Sequence, residues 1–301
     1  SWEVLGGIGT IDSYGVFTST SAGLGAIVLR DLSGAMPTVS QIVEVLDAAG
    51  GITQNETGTL LNSDSTAPLD GDVQFQAYIT TRPSEVLTQE APGSGYGGGQ
   101  WQVNVGNFPT PWQIGDTLHV DFVNLGNGTL GSVEYALVQY GQSHSFQLLP
   151  LSYTFETTPK TDVNSFVLYL DTGVTNAEGL VSSIPSATEI AYWDAHNQAY
   201  VAHTKGLSLF NFPVAPGHPY FVTVTATALW TPVGSVPSTS FNLITTGNTD
   251  VNMVGIPVRM SRIKKAEELC TVIPGCAEVA YWDAPSQAYI GHTKGVPLFN
   301  F

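Results

Sequence analysis

Charged side chains are scarce in this chain of 301 residues. It has nine Lys and Arg against 25 Asp and Glu, so the net charge is −16, and only 11% of residues are charged. Ordinary soluble domains have roughly a quarter. Nine scattered cations cannot supply the basic patch that a nucleic-acid binder needs. The acidic balance reflects a shortage of cations and not the excess of carboxylates expected of a halophilic protein.

Long apolar runs are also missing. The longest, "LGAIVL", is far shorter than the run of about 20 residues that spans a membrane. The chain begins at Ser1 without a signal peptide, as a mature secreted product or a trimmed fragment would. A surface rich in Ser, Thr, Asn and Gly with few charges is typical of extracellular bacterial β-proteins. We therefore expect an extracellular or cell-surface location.

Known catalytic sequence motifs are also absent from the sequence. The sequence has no H-E-x-x-H, G-x-S-x-G or P-loop motif, and "GSGYGGG" lies between predicted strands with no helix to face a phosphate. His119 is interpreted as having no ligand partner at i+2 or i+4, and His144 and His218 are interpreted as solitary. Asp70 and Asp72 in "LDGDV" are weak calcium candidates, because a turn also uses Asp and Gly. We expect no enzyme activity, no cofactor and no metal site.

The only two cysteines, Cys270 and Cys276, lie six residues apart in "CTVIPGC". This spacing fits neither a C-x-x-C redox motif nor a zinc knuckle, and two cysteines alone cannot build a tetrahedral zinc site. The spacing favours a local disulfide; two reduced, buried thiols are the alternative.

An internal repeat dominates the C-terminal half. Residues 177–212 and 266–301, offset by 89, are identical at 22 of 36 positions. The repeat extends back to "TDVN", which begins at Thr161 and recurs at Thr249 with an offset of 88. A unit of about 88 residues is larger than a solenoid repeat and is the size of an independent β-sandwich.

The repeat unit predicts a series of short elements. "SFVLYLD" is a strand candidate, and a short helix follows, with a T-x-x-E capping box from Thr175 to Glu178 and Pro185 as its end. "EIAYWD" and "QAYVAHT" predict a hairpin whose turn residues differ between the copies. In the first copy, "HPYFVTVTATALW" predicts one long final strand.

The region before residue 150 predicts a different β-domain. "DVQFQAYITTRP", "QWQVNVGNF", "TLHVDFVN" and "VEYALVQY" alternate between apolar and polar residues, as strands do. "TVSQIVEVLDAAGG", residues 38–51, predicts a short amphipathic helix that ends at glycine.

The stretches "FQAYITTRPSEVLTQEAPGSGYGGGQWQVNVGNFPTPWQIGDTLHVDF", "AYWDAHNQAYVAHT" and "NFPVAPGHPYFVTV" resemble tandem immunoglobulin-like modules of large secreted or surface proteins of bacteria. The resemblance implies an all-β fold of tandem antiparallel β-sandwich (Ig-like) modules, each repeat with one short helix, and no catalytic residue. We expect four parts: an extended N-terminal segment at 1–35, a β-domain at 36–150, the first repeat at 151–238 and the second repeat at 239–301.

Residues that recur in both copies are candidates for structural roles. They are the pairs Trp193 and Trp282, and His203 and His292. The two tryptophans, each next to Tyr and Asp, could also stack on a sugar ring, so glycan contact is kept as an alternative. Asn55 and Asn127 lie in the sequons "NET" and "NGT" and are possible glycosylation sites.

The second copy has no counterpart of the predicted final strand of the first. An unfilled strand position would expose a groove and unpaired backbone groups. We therefore predict a non-catalytic structural subunit that joins copies of itself head to tail by donor-strand complementation, with "SWEVLGGIGTIDSYGVFTSTS" as the donor. An adhesin or glycan-binding module is the alternative function, and a truncated sequence is the alternative explanation of the missing strand.

Overall fold

The computed structural model of the chain describes residues 2–19, 23–29, 39–45, 54–138, 140–157, 162–245, 250–256 and 263–301. It is mostly β-structure in several antiparallel sheets, so the expected all-β class is confirmed at that level. Within the described ranges, the helices are two α-helices of two turns each and one turn of 3-10 helix. None of those helices is long and apolar enough to cross a membrane.

The first five strands form a three-stranded sheet and a separate two-stranded hairpin. They are β1 (Trp2–Leu5), β2 (Gly9–Ile11), β3 (Phe17–Ser19), β4 (Gly23–Leu29) and β5 (Val39–Val45). The strand order is β1-β4-β5, and β2 and β3 form a separate hairpin.

Two expectations for this region need correction. The N-terminal segment is folded into paired strands and is not extended, and its sheet crosses the expected boundary at residue 35 because β5 pairs with β4. The predicted helix over 38–51 is wrong where the structure describes it: Val39–Val45 is β5. Its β-branched Val and Ile residues fit a pleated strand as well as a helix face, and the partner strand decides between them. The rest of that range, and residues 1, 20–22 and 30–35, lie outside the described residues.

The next group contains two four-stranded sheets. Its strands are β6 (Asn55–Leu61), β7 (Val73–Ile79), β8 (Arg82–Thr88), β9 (Gly95–Gly97), β10 (Gln100–Asn104), β11 (Thr117–Asn124), β12 (Leu130–Ala136) and β13 (Phe146–Gln147). The orders are β13-β6-β10-β9 and β12-β11-β7-β8, and the 3-10 turn Val105–Asn107 follows β10. Buried side chains of both sheets, including Trp101 and Phe122, form one hydrophobic cluster.

The first copy of the repeat, called repeat 1 below, contains six strands and a helix. They are β14 (Tyr153–Phe155), β15 (Val163–Val167), α1 (Ala177–Ser183), β16 (Ala187–Asp194), β17 (Ala199–Thr204), β18 (Pro219–Val224) and β19 (Ala228–Trp230). The sheet order is β15-β18-β16-β17, with all pairs antiparallel, and β14 pairs with β19. One apolar face of this sheet packs on α1.

The second copy, called repeat 2 below, contains α2 (Ala266–Val272), β20 (Glu278–Asp283) and β21 (Ala288–Thr293). These elements have the same order and nearly the same lengths as α1, β16 and β17. The two strands form an antiparallel hairpin.

Two details of repeat 1 differ from the sequence prediction. The predicted long final strand is two strands, β18 and β19, which belong to different sheets because the chain bends after Val224. The predicted capping box does not form: Asn176 caps α1 by accepting a hydrogen bond from Gly179 N at 2.8 Å. Glu178 instead binds a buried histidine, described below.

Candidate assembly interface

The β-hairpins of the two repeats carry the same aromatic pair on the face away from their helices. In β16–β17, Trp193 lies opposite Tyr200, with ring centroids 4.9 Å apart. In β20–β21, Trp282 lies opposite Tyr289 at 5.1 Å. Period-2 alternation forces this placement, because the neighbouring Ile190 and Tyr192 point to the core side of the sheet.

The hairpin of repeat 1 binds the backbone of repeat 2. The Trp193 indole donates to Val251 O at 2.8 Å, and Gln198 Nε2 donates to the same oxygen at 3.0 Å. Val251 N in turn donates to Gln198 Oε1 at 3.0 Å. The glutamine amide thus engages both backbone groups of one residue, as a neighbouring strand would.

The hairpin of repeat 2 makes the same contacts in return. The Trp282 indole donates to Val163 O at 2.9 Å, Gln287 Nε2 donates to that oxygen at 2.8 Å, and Val163 N donates to Gln287 Oε1 at 3.1 Å. Each of these residues is the repeat equivalent of its counterpart in repeat 1. The same patch therefore serves both partners, as in a two-fold symmetric dimer. We call these contacts the inter-repeat interface.

Two tyrosines meet at the centre of the inter-repeat interface. The hydroxyls of the equivalent residues Tyr200 and Tyr289 are hydrogen-bonded to each other. Burial, followed by this hydrogen bond, raises the pKa of Tyr289 well above its ordinary value. Tyr289 is therefore neutral at physiological pH.

One aromatic residue, Phe221, does not follow the two-fold symmetry of the inter-repeat interface. Phe221 on β18 packs edge-on against Tyr200 at 5.2 Å, Trp282 at 5.9 Å and Tyr289 at 6.5 Å. Residues after Phe212 have no equivalents in the described part of repeat 2, where Phe301 aligns with Phe212. In the described part of the chain, the ring contact of Trp193 is with Tyr200 alone.

One edge of β20 has no strand partner among the residues that the structure describes. In repeat 1, β16 pairs with β17 on one side and with β18 on the other. Among the described residues of repeat 2, β20 pairs with β21 alone. Residues 251–256, which correspond to β15, are not in a strand. Since β18 lies between β15 and β16 in repeat 1, the open position lies between residues 251–256 and β20.

The apolar side chains around this position are more exposed than their equivalents. Phe155 is 1% exposed and its counterpart Leu243 is 41% exposed. Phe212 is 8% exposed and Phe301 is 40% exposed. Three fully buried side chains of repeat 1 have counterparts in repeat 2 that are only half-buried. They are Leu180, Ile184 and Ile190, matched by Leu269, Ile273 and Val279. We call the surface formed by the β20 edge and these residues of repeat 2 the open groove.

His203 and His292 make matching contacts inside the repeats. His203 is buried, with Nε2 at 2.8 Å from Glu178 Oε2 and Nδ1 at 2.9 Å from Leu209 O. His292 has the same distances to Glu267 and Leu298. A carboxylate and a carbonyl only accept hydrogen bonds, so both ring nitrogens must donate and the imidazole is protonated.

The pKa values of these groups agree with a charged pair. Burial lowers the pKa of His203, but the hydrogen bonds to Glu178 and Leu209 outweigh it and the pKa is raised. The carbonyl of Leu298 and then Glu267 raise the pKa of His292. In each repeat, the histidine on the second strand of the hairpin thus connects the helix with the loop that follows the hairpin.

The cysteines lie where the sequence places them. Cys270 on α2 is joined by a disulfide to Cys276 after the helix, with a Cα–Cα distance of 5.3 Å. Their equivalents Val181 and Ala187 are both buried in repeat 1. The bond therefore ties the end of α2 to the approach of β20, next to the open groove.

The other candidate residues make local contacts of their own. Asn55 on β6 is exposed, whereas Asn127 is half-buried and accepts hydrogen bonds from Thr129 N and Oγ1. Asp70 accepts a hydrogen bond from Gly98 N at 2.8 Å, and Asp72 lies at the start of β7. Across the described ranges, no group of three or more His, Cys, Asp or Glu side chains could hold a metal ion.

One histidine was misjudged from the sequence. His119 has a partner at i+2, contrary to expectation: its Nε2 lies 3.0 Å from Asp121 on β11, its own strand. Its Nδ1 lies 2.8 Å from Glu134 on β12. The hydrogen bond to Asp121, followed by that to Glu134, raises the pKa of His119 in spite of its burial. Asp121 at i+2 was the signal, since alternate residues of a strand share a face.

The two glutamines of the inter-repeat interface were not predicted from the sequence. Gln198 and Gln287 follow turns whose other residues differ, "HN" in one copy and "PS" in the other. An unchanged polar residue beside changed turn residues was the available signal. Neither a protein-family model nor a curated protein matches this chain.

Proposed function

We propose that this chain is a non-catalytic structural protein of the cell exterior, built of tandem immunoglobulin-like β-sandwich modules. In this proposal, copies join head to tail into a filament because a strand of one copy fills the open groove of the next. The open edge of β20 is the observation that carries it. The extracellular location rests on the low charge of the chain.

Filling the groove has a large effect on stability. In repeat 1, the position is occupied by β18, which buries Tyr220, Val222 and Val224 in the core. At about 1.5–3 kcal/mol for each side chain, their burial contributes roughly 5–9 kcal/mol. That is comparable with the whole stability of a small domain. A strand that supplies equivalent side chains would therefore change repeat 2 from a partly exposed to a closed core.

The N-terminal segment of a neighbouring copy is the proposed donor. Tyr14 is 91% exposed and Val16 is 60% exposed, in the turn between β2 and β3. With exposed Thr18 they form a Tyr-x-Val-x-Thr pattern, against Tyr-x-Val-x-Val at Tyr220 in β18. The donor would exchange a two-stranded hairpin, which is marginally stable alone, for pairing with β20.

The acceptor and donor lie on different surfaces of the chain, so the contact is heterologous. Such contacts do not close on themselves in general and generate open filaments. A carbohydrate-binding role stays a hypothesis, but the indoles of Trp193 and Trp282 are already engaged in the inter-repeat interface.

The test is the assembly state of the purified full chain. We expect light scattering coupled to size exclusion to show mass increasing with concentration, and negative-stain microscopy to show filaments. The variant Tyr14→Asp with Val16→Asp should give monomers, since a charge cannot be buried in the groove. The control, Ser63→Asp with Ser238→Asp, adds the same charge at exposed positions and should still assemble. A monodisperse wild-type monomer at all concentrations would refute the proposal.

A further inference from the structure

We infer that the loop after the hairpin of repeat 1 inserts its apolar side chains into the surface of a zwitterionic lipid bilayer. This loop comprises residues 204–211, and its equivalent in repeat 2 comprises residues 293–300. We call the two segments the apolar loops. The inference goes beyond the proposed assembly, because it uses neither the open groove nor a strand from a second copy.

The apolar loop of repeat 1 presents three large apolar side chains to solvent. Leu207, Leu209 and Phe210 are between 55% and 69% exposed. The chain continues after this loop into β18 and β19 and leaves these side chains uncovered. Their exposure is therefore a property of the loop with the following strands in place. Adjacent apolar side chains on a surface mark contacts with membranes or with other proteins.

The backbone of the apolar loops is strained at a phenylalanine. Phe210 has φ +54°, in the left-handed region that a bulky side chain rarely adopts, and its equivalent Phe299 has φ +53°. Asparagine or glycine adopts this conformation at lower cost. Phe210 also lies outside the hydrophobic cluster that the described residues of repeat 1 form. A strained backbone that holds an aromatic ring in solvent indicates a task other than folding.

The buried pair of Glu178 and His203 holds the apolar loop of repeat 1 in place. Glu178 Oε2 accepts hydrogen bonds from His203 Nε2 and Gly206 N, both at 2.8 Å. His203 Nδ1 donates to Leu209 O at 2.9 Å, and Lys205 N donates to a carbonyl oxygen of β16 at 2.9 Å. These backbone groups are thus satisfied from within the protein. Backbone that enters an apolar medium needs such internal partners.

The small size of the loop argues against a second protein surface as its partner. A stable protein–protein interface uses about 20–30 residues on each side. The loop presents eight consecutive exposed residues, 204–211, so it projects from the fold and does not line a groove. A fluid bilayer closes around a projecting apolar loop without a complementary pocket, and burial of the apolar side chains among the acyl chains drives the binding.

The charge of the loop fits the headgroup region of a bilayer. The segment "TKGLSLFN" contains no carboxylate and one cation, Lys205, in a chain with only nine Lys and Arg. A lysine beside apolar side chains extends its ammonium group to the lipid headgroups. The net charge of −16 repels the whole chain from an anionic surface. A zwitterionic surface is therefore the partner that fits both observations.

The probe is a phosphatidylcholine vesicle, mixed with the full chain and floated through a density gradient. Protein without lipid stays at the bottom whether or not copies assemble, so flotation reports lipid binding alone. We expect the wild-type chain to float. The double variant Phe210→Asn with Phe299→Asn should bind at least about tenfold more weakly. The matched control, Leu69→Asn with Ile114→Asn, removes two equally exposed apolar side chains elsewhere and should bind as the wild type does.

The asparagine variant also separates binding from folding. Asparagine suits the left-handed backbone at both positions, so the thermal midpoint should be equal to that of the wild type or higher. A second measurement reports insertion directly. Both native cysteines are in the disulfide, so a polarity-sensitive fluorophore attaches at Leu209→Cys alone. We expect vesicles to shift its emission to the blue and nitroxide lipids to quench it, with neither effect at the exposed control Ser63→Cys.

The outcomes that overturn the inference are distinct from those that concern filament assembly. A wild-type chain that does not float overturns it, as does a double asparagine variant that floats equally well. If that variant loses both stability and binding, the fluorophore decides, and one that stays in water at position 209 overturns the inference. If the asparagine changes dissociate an oligomer in the absence of lipid while the wild type does not float, the loop binds a second copy and not a bilayer.

Discussion

The asymmetry at Phe221 predicts that two equivalent tryptophans contribute unequally to the inter-repeat interface. Replacing either Trp193 or Trp282 with Ala removes one indole hydrogen bond, about 1 kcal/mol, and one cross-strand aromatic pair, also about 1 kcal/mol. Trp282→Ala additionally removes the contact with Phe221, which contributes about 1 kcal/mol. The expected losses are about 2 kcal/mol for Trp193→Ala and about 3 kcal/mol for Trp282→Ala.

Amide hydrogen exchange of the native chain measures this difference. A chain of several modules does not unfold in two states, so a global free energy is not the right observable. The amides of Val163 and Val251 donate across the inter-repeat interface and report its local opening. We expect exchange at both to be faster by roughly thirtyfold in Trp193→Ala and by more than roughly a hundredfold in Trp282→Ala.

Trp282→Phe is the matched control, since it keeps a ring beside Phe221 and loses only the indole donor. We expect amide exchange at Val163 and Val251 to be faster by about tenfold or less in this variant. Equal acceleration by the two alanine variants would refute the role of Phe221. Unchanged exchange at Val163 and Val251 in both would refute the interface itself.

Three further predictions concern the repeats. His203 and His292 have raised pKa values, so their contribution to stability is complete below the ordinary value of 6.5 and is lost as the pH rises through the folded value. We expect the thermal midpoint to fall above about pH 6.5 and the double His→Gln variant to flatten that fall. Glu178→Gln should destabilise repeat 1 more than His203→Gln does, because it leaves a buried imidazolium without its counter-ion; equal effects would contradict the charged assignment. Intact mass without reductant should be two hydrogens lower than with reductant, as a Cys270–Cys276 disulfide requires, and Cys276→Ser should lower the stability of repeat 2 by roughly 2–3 kcal/mol.

Strong local patterns predicted much of the β-structure. The alternating segments that became β7, β10, β11 and β12 were recognised, as were the hairpins of both repeats. The strand β5 was missed because a seven-residue apolar pattern fits either a helix face or a strand. Pairing with β4 decides the outcome, and β4 lies outside the segment from which the helix was predicted.

The interface residues were harder to predict than the strands. The recurrence of Trp193 and Trp282 indicated a structural role, but it did not indicate that their indoles bind the other repeat. A residue that recurs has the same role in each copy, but its recurrence does not show which part of the protein it contacts. The partners Val163 and Val251 contribute only backbone atoms, so no side-chain pattern could have identified them.

The inter-repeat interface and the open groove are physically coupled. Phe221 belongs to β18, the strand that closes the core of repeat 1, and its ring also packs against the hairpin of repeat 2. Closing one repeat therefore supplies a contact to the other. By the two-fold relation, a strand bound in the open groove would place its second residue against Trp193 and add the contact that the interface now lacks. Binding at the groove and association of the repeats then stabilise each other, because both use the same aromatic position.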